Sequence, residues 1–124
     1  MAGPSDALER CRTHNRILAE FGRHALSECD LDSLLDEACE LAAGGTGVTH
    51  AKVLRYRPER DDLLIVAGLG WRTGVIGTAL PAGMRSPAGR CIRNLEPVSV
   101  ADLPSSSEYE YHDVLREHGI VSLL

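Results

Sequence analysis

Five histidines, four cysteines and several glycine-rich turns are the parts of this chain whose chemistry could go beyond packing. His14, His24, His50, His112 and His118 do not cluster with carboxylates at metal-ligand spacing. His112 and His118 are six residues apart, so a helix would turn them to different faces. Among Cys11, Cys29, Cys39 and Cys91 no pair has the two-residue spacing of a zinc knuckle or a redox dithiol. They read as free thiols, packed as small apolar residues. Gly68-Leu69-Gly70-Trp71-Arg72-Thr73-Gly74 follows a strand, as a dinucleotide-binding turn does. Its third glycine falls one residue late, and Gly74 and Gly77 would break the helix that must follow. Gly44-Gly45-Thr46-Gly47 lacks the Gly-Lys pair of a phosphate loop, and Gly83-Met84-Arg85-Ser86 is not a nucleophile elbow. No acid–base pair, Cys/His pair or triad assembles. The chain reads as a binder and not as an enzyme.

The residues suited to binding fall in the Gly- and Pro-rich stretch after the second strand. Trp71, Arg85, Ser86 and Arg90 come first; Asp102, Tyr109, Tyr111 and His118 follow. Together they supply an aromatic wall and a few polar groups, the usual composition of a small-molecule site. The competing reading makes Trp71 part of the core and leaves the arginines solvated. No metal site is expected.

Something must position these residues. At 124 residues there is room for one domain with one core, and 44% apolar with 25% charged residues is ordinary for a globular protein. The net charge of −5 argues against a nucleic-acid surface, and the arginines are scattered rather than bunched. No apolar run has the length of a membrane span, and the N-terminus lacks the order of a secretion signal. A cytoplasmic protein with reduced thiols is the expectation.

The periodicity predicts a helix over 5–28. In it Ala7, Cys11, His14, Leu18, Phe21 and Ala25 follow the alternating steps of a heptad seam. That stripe could pack on its own domain or pair with a second copy. A second helix should begin after the N-cap Asp30 and end at Gly44-Gly45. Short strands are expected over 50–56 and 63–68, joined by a charged hairpin connection with Pro58, and a further one over 76–80. Ser86 should cap a short helix with Pro87 at its first position, running to about Asn94. A strand is expected over 97–100, a helix over 109–118 and a strand over 120–124. The order implies an α+β fold with a mostly antiparallel sheet. Ile120 to Leu124 would leave an exposed sheet edge open to a partner strand.

Several pieces in order resemble a GAF domain, the sensory module common in bacterial signalling proteins. Leu34-Leu35-Asp36-Glu37-Ala38 resembles its first helix, and Ala51 to Tyr56 its first strand. Ala67-Gly68-Leu69-Gly70-Trp71 resembles the end of the second strand. Pro81-Ala82-Gly83, Ser86 and Gly89 match the segment opening the ligand-side helix. Pro97-Val98-Ser99-Val100-Ala101-Asp102-Leu103 and His118-Gly119-Ile120-Val121-Ser122 complete the series.

The resemblance implies a profilin- or PAS-like antiparallel sheet, with the N-terminal helices on one face and a ligand-side crossover on the other. Residues 1–30 would be a dimerisation or signalling helix, and 31–124 a GAF-like domain without its final strands and helix. It implies a sensory domain of a two-component system, a sensor histidine kinase above all, that binds a small molecule or partner domain and signals through its helices. Its dimer contact would use Cys11, His14, Leu18, Phe21 and Ala25, or the C-terminal strand. A ligand-independent dimerisation module is the alternative, and a small methionine sulfoxide reductase comes third. No cysteine precedes a histidine, so a covalent bilin is not expected, nor any other cofactor.

Overall fold

The computed structural model describes residues 3–27 and 30–124, and they fall into two units. The first comprises Met1–Val53 with Ala67–Gly70, the second Leu54–Val66 with Trp71–Leu124. In the first unit, Pro4 opens helix α1 (Pro4–Ala25), and the Asp6 carboxylate accepts from the Gly3 N–H at 3.1 Å. Pro at the first turn costs no hydrogen bond, and a carboxylate suits the positive helix start. Helix α2 (Leu31–Thr46) starts as expected. Asp30 accepts from the Ser33 N–H at 2.9 Å and from its hydroxyl at 2.7 Å.

The two helices pack on each other through one side of α1. His14 Nε2 meets the Gly45 carbonyl at 2.6 Å, the Ile17 side chain lies against Gly45, and His24 Nδ1 pairs with the Glu37 carboxylate. No residue of α1 is fully buried, whereas α2 buries Cys39 and Ala43. Burial pushes the Cys39 thiol pKa up, which keeps it protonated and unreactive.

Strands β1 (Ala51–Arg57), β2 (Asp62–Leu69) and β3 (Ala79–Pro81) form one sheet in the order β1-β2-β3. The connection between β1 and β2 is too short for anything but antiparallel neighbours. β2 and β3 are antiparallel with Leu63 opposite Leu80. Arg57 and Asp62 close the hairpin with two parallel bonds, Nε to Oδ1 at 2.7 Å and Nη2 to Oδ2 at 2.6 Å. Gly70, which follows β2, stands at φ +87°, where a Cβ would meet the Thr49 carbonyl at 2.5 Å. Only glycine fits there.

In the second unit, alternate residues of β2 feed a cluster of Leu63, Ile65, Leu80 and Ala82, joined by Leu54 and Val75. Val100, Leu103, Tyr109 and Leu115 form another, with Trp71, Tyr111 and Ile120 against it. Val114 touches both clusters. Helix α3 (Pro87–Asn94) is capped as the sequence requires: Ser86 Oγ accepts from the Gly89 N–H at 3.2 Å, and Ser86 is buried. Helix α4 (Asp113–Glu117) follows.

Six expectations need correction. Helix α1 ends at Ala25; Glu28 lies outside the described residues, as does Cys29. Helix α2 runs through Gly44 and Gly45 and stops at Gly47, which takes the left-handed cap at φ +72°. Glycine tolerates that conformation without demanding it, so the first glycine is not always the stop. The strand expected over 76–80 is displaced to Ala79–Pro81, because Gly74 and Gly77 at φ +93° and +98° turn the chain first. The strands expected over 97–100 and 120–124 reduce to a single antiparallel bridge, Val100 with Leu123. Only the last five residues before His118 are helical within the expected 109–118 helix. Residues 106–112 spend their backbone groups elsewhere. Ser106 Oγ accepts the N–H groups of Glu108 and Tyr109, and the Glu110 N–H donates to the Arg85 carbonyl at 2.9 Å. A side-chain acceptor offered to nearby backbone competes directly with helix formation.

Candidate functional site

That irregular run, 106–112, forms one wall of a cleft of about 420 Å³ within the second unit. Tyr109, Glu110, Tyr111 and His112 line it one after another, where an α-helix would have turned adjacent residues to different faces. Arg85 faces the cleft from the turn before α3, and Asp113 and Arg116 from α4. Leu103, Pro104 and Ser106 complete the lining.

Most of these groups are held in place. Arg116 donates to Asp113 Oδ1 at 3.0 Å and to the Tyr111 carbonyl at 2.9 Å, and its guanidinium lies 5.1 Å from the Tyr111 ring centre. The Tyr111 hydroxyl in turn donates to the Ile120 carbonyl at 2.6 Å. Tyr109 is buried, with the Arg90 guanidinium 4.6 Å above its ring. Arg90 reaches Glu108 at 2.8 Å and the Met84 carbonyl at 3.3 Å. The Glu108 bond holds the Arg90 proton more firmly than usual. The aromatic floor is thus fixed from α3, with the arginine charge satisfied behind it.

Helix α3 is itself latched. Arg93 donates to the Ala82 carbonyl at 2.7 Å and to Asp61 at 3.2 Å, and the Tyr56 hydroxyl reaches the same Asp61 at 2.8 Å. Gly89 permits this approach, since a Cβ there would lie 2.5 Å from the Ala82 carbonyl carbon.

The sequence-derived candidates divide in three. Arg85, Tyr109 and Tyr111 line the cleft. Arg90, Trp71 and His118 stand behind its wall. Trp71 packs on the cluster containing Leu103 and Tyr109, with His118 edge-on at 4.9 Å. Both His118 nitrogens are engaged: Nε2 accepts from the Arg72 N–H at 3.0 Å, which makes Nδ1 the donor to the Val114 carbonyl at 2.7 Å. Ser86 and Asp102 are elsewhere, the first buried as the α3 cap and the second exposed. Sequence reasoning missed Ser106, Glu110, His112, Asp113 and Arg116, because the assumed helix sent adjacent residues in different directions. The turn signal Pro104-Ser105-Ser106-Ser107 was the available hint that the chain stays irregular.

Of the dimer candidates, His14 and Phe21 lie on the side of α1 turned to α2. Cys11, Leu18 and Ala25 are exposed, Leu18 by 67%. A second cleft of about 460 Å³ lies between the N-terminal half of α1 and the end of α2. Among the described residues no group of three or more His, Cys, Asp or Glu side chains could hold a metal ion. Nor is any helix there long and apolar enough to cross a membrane.

Comparison with known proteins agrees with this architecture. The GAF domain family matches residues 30–124. The fold is similar to that of the GAF domain from an Acinetobacter phosphoenolpyruvate-protein phosphotransferase, with a TM-score of 0.65 at 17% identity over 88% of this chain and 63% of that one. It is also similar to the GAF domain of such a phosphotransferase (ptsP) from Coxiella burnetii, with a TM-score of 0.69 at 16% identity over 92% and 64% of the two chains. The chain therefore spans somewhat under two thirds of the length of these solved structures. No curated protein matches it. With an α+β architecture, a small antiparallel sheet and a family match over most of its length, the chain belongs to the GAF domain family.

Proposed function

We propose that this chain is the sensory domain of a larger signalling protein, and that its ligand is a small polar molecule held in the cleft of the second unit. The observation that carries this reading is the cleft wall itself. Residues 109–112 line one space in succession, with Tyr109 held under the Arg90 guanidinium of α3 and Tyr111 held by Arg116 of α4 and by the Ile120 carbonyl. Such pre-positioning lets a ligand bind without first ordering the loop. Polar, charged and aromatic groups suit a polar metabolite better than a lipid.

The two solved structures named above are GAF domains of phosphoenolpyruvate-protein phosphotransferases. That supports a parent protein with a phosphoryl-transfer output, of which a sensor histidine kinase is the form favoured by the sequence. Ligand would shift the domain between two packings in proportion to its differential affinity for them. The cleft has a built-in reporter, because Trp71 is the single tryptophan and packs behind Leu103 and Tyr109. Titration with metabolite mixtures should change Trp71 fluorescence and raise the melting temperature. A flat response in both would contradict ligand sensing.

A second reading, a dimerisation module, rests on the uncovered side of α1. Ala7, Cys11, Leu18 and Ala25 keep heptad spacing and remain exposed beside the strip that α2 covers. Pairing with a second copy would bury them. Sedimentation decides it: a monomer at high protein concentration would contradict this reading.

A further inference from the structure

We propose that His118 is a proton-sensitive latch, closed while its ring is neutral and opened by a single proton at Nε2. The latch lies behind the cleft wall and stands on its own geometry, whatever occupies the cleft. Both ring nitrogens are committed. Nδ1 meets the Val114 carbonyl at 2.7 Å, and a carbonyl can only accept, so Nδ1 carries the proton. Nε2 meets the Arg72 backbone N–H at 3.0 Å, and an N–H can only donate, so Nε2 offers its lone pair. The doubly protonated ring has no lone pair and cannot make this bond. One side chain thus ties α4 to the turn that follows β2, and it does so in one protonation state.

The charges on the two packed elements are already placed. From the turn, the Arg72 guanidinium donates to the Glu117 carbonyl at 3.1 Å, so a positive charge sits at this end of α4. The Trp71 ring stands edge-on to His118, with ring centres 4.9 Å apart. On α4, Asp113 and Arg116 satisfy each other at 3.0 Å. The Glu117 carboxylate is exposed, where water screens its attraction for a cation. On protonation, a proton from solvent takes the Nε2 lone pair, and the new N–H points at the Arg72 N–H. Two donors then face each other with no acceptor between them, and Arg72 and His118 must part.

That parting reaches the cleft. Helix α4 presents Asp113 and Arg116 to it, and Trp71, next to Arg72, lies against the cluster of Leu103 and Tyr109. A proton taken up at His118 therefore loosens the supports of the cleft wall without touching an occupant.

The test is a pH titration of the full chain followed by NMR, through the histidine ring nitrogens and the backbone amides. It covers about pH 5 to 8, the range in which histidines change charge. At the alkaline end the His118 ring should be the neutral form with its proton on Nδ1. As the ring protonates, the Arg72 amide signal should shift with the same midpoint. Hydrogen exchange at that amide should become about tenfold faster than in the His118→Gln variant at the same pH, the effect of losing one hydrogen bond. Glutamine keeps an oxygen acceptor for the Arg72 N–H and takes up no proton there. In that variant the Arg72 amide should hold its alkaline position throughout, a difference that a role in packing alone would not produce.

An Arg72 amide that stays in place while the His118 ring protonates would overturn the proposal, as would a ring with its proton on Nε2 at the alkaline end. So would an Arg72 shift that follows the ring of His50 or His112 instead, or one that persists in His118→Gln. The two midpoints are read from the parent protein, so a glutamine variant that fails to fold leaves the decision with them.

Discussion

Replacing Lys52 by methionine should stabilise the protein near neutral pH and lose that advantage in alkali. Lys52 is the sole lysine and sits half-buried in β1. Burial lowers its ammonium pKa from 10.5 to about 8. Each tenfold loss of proton affinity is worth about 1.4 kcal/mol, so holding the charge near pH 7 costs the folded state up to about 3 kcal/mol. Lys52 is not fully enclosed, and residual solvation lowers that figure.

The sign follows from the folded pKa lying below the unfolded one. From about pH 8 to 10.5 the unfolded chain binds the extra proton, so stability of the parent rises with pH through that window. Above it both states are neutral and the penalty is gone. Methionine keeps the apolar stem and drops the charge. The Lys52→Met variant should therefore gain roughly 1–3 kcal/mol near pH 7, a large part of a typical domain's margin. The gain should shrink towards zero near pH 10.5. Urea unfolding of both proteins, followed by Trp71 fluorescence across this range, measures it. A Met variant no more stable than the parent near pH 7, or one whose advantage is constant with pH, would refute the reasoning.

Gly89→Ala should destabilise by about 1–3 kcal/mol or prevent folding, since its Cβ meets the Ala82 backbone, whereas Gly83→Ala has open space and should be tolerated; thermal melts compare them. Ser86→Ala removes a buried helix cap and should cost about 1 kcal/mol in urea unfolding, with loss of α3 seen by circular dichroism. Arg57 holds the Asp62 carboxyl pKa below the usual range, so this pair stabilises above the ordinary carboxylate pKa and fades as pH falls through the depressed value. Asp62→Asn should then melt below the parent near neutral pH, and the gap should close in acid. If α1 pairs with a second copy, Leu18→Glu should yield a monomer in sedimentation and abolish thiol cross-linking through the exposed Cys11, while a dimer that survives it places the contact elsewhere.

The parts of the fold legible in the sequence were those set by neighbouring residues. Asp30 with Ser33, Ser86 with Pro87 and the charged connection after Tyr56 each satisfy their backbone locally, and each sits where expected. The parts missed depend on distant partners. Residues 109–112 have helical composition, but the bond from Glu110 to Arg85 spans the whole of α3 and nothing near Glu110 announces it. The strands expected at 97–100 and 120–124 fail for a related reason: extended apolar residues become strand only where a ladder of partners exists, and here one bridge does. The candidate site was half legible. Aromatic residues marked the region, while Glu110, Ser106 and Arg116 depended on a backbone path that periodicity could not supply.

Amide chemical-shift mapping of the full chain during titration with a binding metabolite tests the ligand site most directly. Saturable perturbations should concentrate at Arg85, at 106–113 and at Arg116, the residues that line the cleft and fix its wall. Perturbations confined to residues 6–14 and 44–47, where the second cleft lies, would contradict it.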